Sequence, residues 1–171
     1  MIQLRQATPA DIAAITALHH AAFASTAMGY HGEGELVAAI HDDGDALVSL
    51  VAQLDGQIVG HALFSRMAVA ADAALLRAAA LAPVGVLPEL HGTGVGSALI
   101  REGLARLADA AIQICFVFGH PDYYPRFGFN ADLAAPFASP YAGPKLMAAL
   151  LDKSLQMPES GRADYAAAFS R

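Results

Sequence analysis

Sulfur and charge are scarce in this chain. Cys115 is its one cysteine, so neither an intrachain disulfide nor a cysteine-cluster metal site is open to it. Tryptophan is absent, and charged residues make up only 15%. Ten Lys+Arg stand against sixteen Asp+Glu, a net charge of -6, which argues against nucleic-acid binding through a bulk positive field. The opening Met1-Ile2-Gln3-Leu4-Arg5 lacks the long apolar stretch of a secretory leader. The most apolar region, Met67 to Leu87, is broken by Asp72, Arg77 and Pro83, which is a poor membrane span. The expectation is a cytoplasmic protein with neither membrane nor nucleic acid as a partner.

What is present is apolar. Hydrophobic residues reach 56% of 171, too many for a disordered chain and enough for one domain over residues 1–171 with a sizeable core. Alanine is the commonest residue, and because it favours helix intrinsically, strands have to be read from context.

Ile2 to Arg5 alternates as a strand. Thr8-Pro9-Ala10-Asp11 reads as a helix start, with Thr8 as cap, Pro9 in the first turn and Asp11 completing a capping box. Ile12, Ile15, Leu18 and Ala22 follow at helical spacing. After the Gly-rich stretch Met28 to Gly34, a short helix carries Leu36, Val37 and Ile40. Ala46 to Gln53 and Gln57 to Arg66 read as strands joined through Asp55-Gly56, a hairpin signal. Asp72 to Arg77 is expected to be a loop, and Ala79 to Leu87 a strand. A helix from about Gly94 to Ala110, a doubly buried strand over Ile112 to Phe118, and a short helix from Pro121 to just before Gly128 come next. Lys145 to Leu151 and Tyr165 to Phe169 are the expected last strands. The pattern predicts an α/β (α+β) fold: a mixed sheet covered by helices on both faces.

The most informative segment is Val84-Gly85-Val86-Leu87-Pro88-Glu89-Leu90-His91-Gly92-Thr93-Gly94-Val95-Gly96-Ser97, where an apolar strand feeds a glycine turn that opens a helix. Free backbone N–H groups from Gly92 to Gly96 can converge on phosphate there, and the Thr93 and Ser97 hydroxyls can add hydrogen bonds. A strand-to-helix turn also needs glycine for shape alone, so both readings stand on this pattern. Two phosphate motifs fail: no Gly-x-x-x-x-Gly-Lys is present, and the dinucleotide pattern wants its third glycine where Ser97 stands.

The second segment, Gly119-His120-Pro121-Asp122-Tyr123-Tyr124-Pro125-Arg126-Phe127-Gly128-Phe129, directly follows the buried strand. It places polar and aromatic groups beyond a strand's carboxyl end, where open sheets bind ligands, although aromatics there also cap a core. Adjacent tyrosines on a helix point about 100° apart, so one can face a cleft while the other packs.

Together these segments resemble the GNAT family of N-acetyltransferases. The family's acetyl-CoA pattern, Gln/Arg-x-x-Gly-x-Gly/Ala, falls on His91, Gly92, Thr93, Gly94, Val95 and Gly96, with His91 departing from the usual Gln or Arg. Its Tyr-x-x-x-Gly-Phe falls on Tyr124 to Phe129. The longer Pro-x-Tyr-Tyr-x-Arg-Phe-Gly-Phe string is similar to a subgroup whose substrates are mostly undefined. The resemblance implies a mostly antiparallel central sheet with splayed fourth and fifth strands. Acetyl-CoA would be the cosubstrate and no metal is implied. Val84 and Val86 would hold the pantetheine arm, while His91, Gly92, Thr93, Gly94, Val95, Gly96 and Ser97 would hold the pyrophosphate. Tyr124 would be the general acid, and Glu33, Glu35 or Glu89 would take the amine's proton, the first two from an acceptor-side loop. The implied acceptor is an amine of a small molecule or peptide, and a homodimer follows by family analogy. Two other readings are a non-catalytic acetyl-CoA-binding regulatory module and a protein acetyltransferase acting in a complex. Cys115 reads as a core residue, and Arg126 as a local structural pair or a phosphate ligand. His61 and His120 read as surface or packing residues, with the acceptor side as the alternative.

Overall fold

A two-residue turn decides how the sheet begins to fold back on itself. Asp55 and Gly56 both take positive φ, 49° and 81°, joining strand β2 (Ala46–Leu54) to β3 (Gln57–Ala71) as an antiparallel hairpin. The computed structural model describes residues 1–171. Before this hairpin come β1 (Gln3–Gln6), helix α1 (Ile12–Ala24) and helix α2 (Glu33–Asp42). After it come β4 (Ala74–Val86), α3 (Val95–Asp109), β5 (Ile114–Phe118), the one-turn helix α4 (Ala131–Ala134), β6 (Phe137–Ala138), β7 (Leu146–Leu150) and β8 (Gly161–Asp164). The entry into α1 follows the sequence pattern: Asp11 Oδ2 accepts from the Thr8 N–H at 2.7 Å and also meets Arg5 at 2.7 Å. Those bonds hold the Asp11 carboxyl below the usual range, the Arg5 bond contributing most.

The sheet runs β1-β2-β3-β4-β5-β7, with β8 pairing the outer end of β3 and also β6. Along the main path every pair is antiparallel except β4–β5. Alternation along β2 and β3 sends Leu50, Ala52, Ala62 and Phe64 to one face, where they pack with Val95, Leu99, Ile100 and Leu107 of α3. The intervening Val51 and Leu63 face the other way, against Ile15 of α1 and Val37 and Ile40 of α2. Helices therefore cover both faces. A further apolar cluster joins the far ends of β3 and β4 to β5, β7 and Phe137. No helix is long and apolar enough to cross a membrane.

Two expectations are corrected. Asp72 to Arg77 is not a loop: the chain turns in two residues, with Asp72 at φ 52°, and Ala71 pairs Ala74. The extension is favoured because β8 adds to the same stretch of β3, from Ala68 to Ala71, so its backbone is paired on both edges. Tyr165 to Phe169 is not a strand. The strand is Gly161–Asp164, and Ala167–Ser170 forms a 3-10 turn that buries Ala168 beside the α1–α2 core. The small elements α4 and β6 were not anticipated. The first is capped by the Asn130 side chain, which accepts the Asp132 N–H at 2.7 Å.

Phe64 is fully buried at the contact between β3 and α3. Phe64→Ala is expected to lower unfolding free energy by about 3–5 kcal/mol, read as a lower urea midpoint with an unchanged slope.

Candidate active site

The site begins where two strands stop pairing. β4 meets β5 only at Ala78 to Ala80. Beyond Leu81 the β3–β4 register shifts, the Ala82–Pro83 peptide is cis, and β4 leaves β5 behind. Across the Gly60–Val86 pair, the Leu87 N–H donates to the Val59 carbonyl at 2.9 Å. This fixes the phase of the ladder: Val86, and Val84 two residues earlier, point their own N–H and C=O away from β3 and toward the vacated edge.

That edge opens into a cavity of about 700 Å³. Val84, Gly85 and Val86 form one wall, and His120, Tyr123, Tyr124 and Arg126, beyond the end of β5, form the opposite one. The N-terminus of α3 closes one side with Gly92, Gly94, Val95, Gly96 and Ser97. Ala22 and Phe23 at the end of α1, and Thr26 just beyond it, also line the cavity, and the sequence marked none of them as a site residue. A helix end aimed across the sheet leaves no local signature beyond ordinary amphipathic spacing.

The glycine turn is built by backbone conformation. Gly92 and Gly94 hold φ of 75° and 92°, a region that side-chain-bearing residues rarely adopt. Gly94 then caps α3, its carbonyl accepting from Ala98 at 2.9 Å. The N–H groups of the first turn, from Val95 onward, have no partner within the helix. They add to the positive end of the helix dipole and make a fan of donors for an anion.

Side chains behave differently from expectation. His91 Nε2 lies 2.8 Å from the Val86 carbonyl, bridging the turn back to β4, although the residue still lines the cavity. The Thr93 hydroxyl donates to the Leu90 carbonyl at 2.6 Å, which ties the turn together, and Thr93 is outside the lining. Ser97 Oγ sits 3.4 Å from the Tyr123 hydroxyl across the cavity. Arg126 donates to the carbonyls of Tyr123 and Asp122 and lies 4.6 Å from the Tyr123 ring, with no carboxylate partner. It brings an unneutralised cation to the wall.

Tyr124 is packed edge-on against Tyr123 and Phe129. Burial, with a smaller contribution from Tyr123, pushes its phenol up to about 12, so it is protonated at neutral pH. Cys115 is fully buried, and burial raises its thiol well above the ordinary range, leaving no thiolate for acyl relay.

Glu33 and Glu35 need correction. They lie in the first turn of α2, not in a loop, and neither lines the cavity. Gly32, at φ 84°, starts the helix early, and two carboxylates there complement its dipole. Glu33 accepts the His31 N–H at 2.8 Å; Glu35 accepts from the Tyr30 hydroxyl and lies 3.4 Å from His20. Glu89 is exposed in the Pro88–Leu90 turn and is also outside the lining. His120 is exposed and lines the cavity, whereas His61 is fully buried. No cluster of three or more His, Cys, Asp or Glu is arranged to hold a metal ion.

The model of the acetyltransferase (GNAT) domain matches residues 3–131. A GNAT family acetyltransferase from Brucella melitensis, solved in complex with acetyl-CoA, is 36% identical, with 99% of this chain and 98% of that one covered and a TM-score of 0.82. The GNAT family N-acetyltransferase YhbS from Escherichia coli, solved with CoA, is 26% identical over 99% of this chain and 92% of its own, with a TM-score of 0.84. The uncharacterized N-acetyltransferase YjhQ from Escherichia coli is 42% identical over 106 residues, 61% of this chain. That match spans 59% of the length of YjhQ.

A Cβ at Gly96 would meet its nearest neighbours, Tyr123 Oη and Val86 Cγ2, at ordinary distances of 3.5 and 3.6 Å, so the fold has room for a side chain there. Gly96→Glu would put a carboxylate among the helix donors. Calorimetric titration with CoA is expected to show at least about tenfold weaker binding, with the melting temperature little changed.

Proposed function

The chain belongs to the GNAT family of acyl-CoA-dependent N-acyltransferases, and from that premise we propose that it moves the acetyl group of acetyl-CoA directly to a primary amine of a small molecule or peptide. The observation that carries this reading is the cavity between the parted strands. It has a fan of helix N–H donors at one side and a half-buried, protonated Tyr124 on the wall opposite Val84 to Val86.

In this reading the first-turn N–H groups of α3 bind the pyrophosphate and Arg126 adds a cation. The edge-facing backbone groups of Val84 and Val86 bind the pantetheine arm as an added strand would. His91 acts by fixing the Val86 end of β4 rather than as the main phosphate ligand. A neutral amine attacks the thioester carbonyl, and the Val86 N–H stabilises the tetrahedral oxyanion. As the carbon–sulfur bond breaks, the Tyr124 hydroxyl donates to the departing sulfur.

The ordinary pKa of a thiol, about 8.5, sets a limit on this last step. A phenol held near 12 is the weaker acid, so complete transfer to the thiolate is uphill. Tyr124 therefore bonds the developing charge and gives its proton to the sulfur only as it takes one from the ammonium nitrogen of the intermediate, so that thiol, neutral amide and neutral phenol form together. Its raised pKa is harmless here: the O–H is present throughout the neutral range and is lost only as pH rises through about 12.

The test is a library of primary amines and N-terminal peptides incubated with acetyl-CoA, with thiol release and product mass as readouts. Tyr124→Phe is expected to lower kcat by about 10² while leaving acetyl-CoA binding intact. Tight CoA binding with no turnover on any member of the library would favour a non-catalytic binding module.

A further inference from the structure

Three histidines and a serine cross the sheet's α1 face in one unbroken line. His19 of α1 and His61 of β3 are both fully shielded from solvent, and Ser49 of β2 is almost so. His19 Nε2 lies 2.9 Å from His61 Nδ1. His61 Nε2 lies 2.9 Å from Ser49 Oγ, and Ser49 Oγ lies 3.1 Å from Nε2 of His41, which is half-buried near the end of α2. The inner end, His19 Nδ1, is a buried nitrogen without any hydrogen-bond partner. It is aimed at the cavity wall: a Cβ at Gly85 would lie 2.7 Å from it. Gly85, Ala22 and Phe23 all line the cavity, and the Phe23 ring stacks on His19 at 5.8 Å between centroids.

We propose that this line is a proton relay for the acetyl transfer, with His19 Nδ1 at its inner end and His41 at its outer end. The proposal rests on the acetyl-transfer reading above and supplies the base that Glu33, Glu35 and Glu89 do not. In its resting polarity His19 carries its proton on Nε2 toward His61. His61 carries its own on Nε2 toward Ser49, Ser49 donates to His41 Nε2, and His41 holds its proton on Nδ1. The incoming ammonium loses one proton by way of cleft water, and an N–H bond forms at His19 Nδ1 beside the Gly85 wall. The Nε2 proton of His19 passes to His61 Nδ1, that of His61 Nε2 to Ser49 Oγ, and that of Ser49 to His41 Nε2. The Nδ1 proton of His41 leaves to solvent. One proton enters and one leaves, and the amine becomes a neutral nucleophile. When product departs, His19 Nδ1 gives its proton to cleft water, a proton returns at His41, and the resting polarity is restored.

The relay answers an energetic difficulty. Burial pushes His19 down to about 4, and it lowers His61 well below the ordinary imidazole range, helped by the two neighbouring rings. An isolated imidazole of that kind would hold little of a neutral-pH proton. Moving a proton through the line leaves every ring uncharged at the end of the step, so no cation stays buried. Among the charged groups around the line, the one carboxylate that acts on any of the three rings is Asp42, beside His41 at the outer end. With no carboxylate on His61, and Ser49 buried away from the cavity, the line is not a nucleophilic triad.

Ser49→Ala cuts the relay at its middle without touching the cavity. With the amine that the library identifies, it is expected to lower kcat by about tenfold, leave KM for acetyl-CoA unchanged, and flatten the curved dependence of rate on deuterium fraction. Ser49→Thr, which restores a hydroxyl, is expected to recover the wild-type profile. Independently, nitrogen-15 NMR of the wild-type rings between about pH 5 and pH 9 should show His19 and His61 neutral and exchanging tautomers together, with Ser49→Ala decoupling them. Wild-type kcat and pH profile in folded Ser49→Ala, or rings locked in one tautomer throughout, would overturn the relay. If the wild type acetylates no amine in the library, the acetyl-transfer reading itself fails, whatever the rings do.

Discussion

The parting of β4 from β5 is the constraint on which the rest of the molecule depends. A parallel pair that stayed zipped would satisfy its own backbone and leave nothing for a ligand. Once β4 bends away after Leu81, the outward N–H and C=O of Val84 and the N–H of Val86 lose any strand partner, and the Val86 carbonyl is met by the His91 ring instead. An unmade backbone hydrogen bond in a shielded place costs about 1–3 kcal/mol, so the open edge is a standing demand for something extended to lie along it. The neighbouring elements hold the gap rather than fill it. β3 stays paired to β4 through the register shift, α3 starts at the open end, and β7 supports β5 on its other side.

Electrostatics in the cleft is local. The chain carries a net charge of -6, yet the groups that face the cavity are helix N–H donors, Arg126 and two histidines. Arg126 is anchored by two carbonyls and a tyrosine ring, which fix its position without neutralising it. Five other arginines do meet carboxylates, as Arg5 does with Asp11 and Arg106 with Glu102. The contrast makes an anion site compatible with an acidic protein, because bulk charge is screened over about 8–10 Å and the donors act at contact.

Legibility in the sequence followed how local each signal is. Asp55-Gly56, the Gly92–Gly96 turn and the Tyr124–Phe129 string each encode a backbone conformation within a few residues; the first two elements lie as expected, while the short helix expected from Pro121 is a 3-10 turn over Tyr124–Phe127, ended by Gly128 at φ 94°. The stretch from Asp72 to Arg77 misled because Ala74 to Arg77 pair with Ala71 to Ala68 of β3, whose other edge is held by β8, more than eighty residues away in sequence. Tyr165 to Phe169 reads as an apolar strand, but its aromatics pack edge-on, Tyr165 on Tyr141 and Phe169 on Tyr165, which needs no ladder. Glu33 and Glu35 look like free carboxylates near a glycine loop until Gly32 is seen to start α2 early. The histidine line was invisible because its members are spread over α1, α2, β2 and β3 and share no spacing.

The two faces of the sheet differ in a way that this line explains. The face under α3 is packed by Leu50, Phe64, Leu99, Ile100 and Leu107. The face under α1 and α2 places His19, His61 and Ser49 among Ile15, Val51 and Leu63. Leucine at any of these polar sites would pack without the desolvation cost that the imidazoles carry. Stability alone would thus make the two faces alike. Three of the four buried polar side chains, His19, His61 and Ser49, form one hydrogen-bonded path whose unpaired end abuts Gly85, where the missing Cβ leaves room for it, while Ser65 is buried off the path without a partner. A path that ends on a half-buried helix terminus at one side and at the cavity wall on the other is what proton exchange with the cleft requires, and it is more than anchoring α1 to the sheet would need.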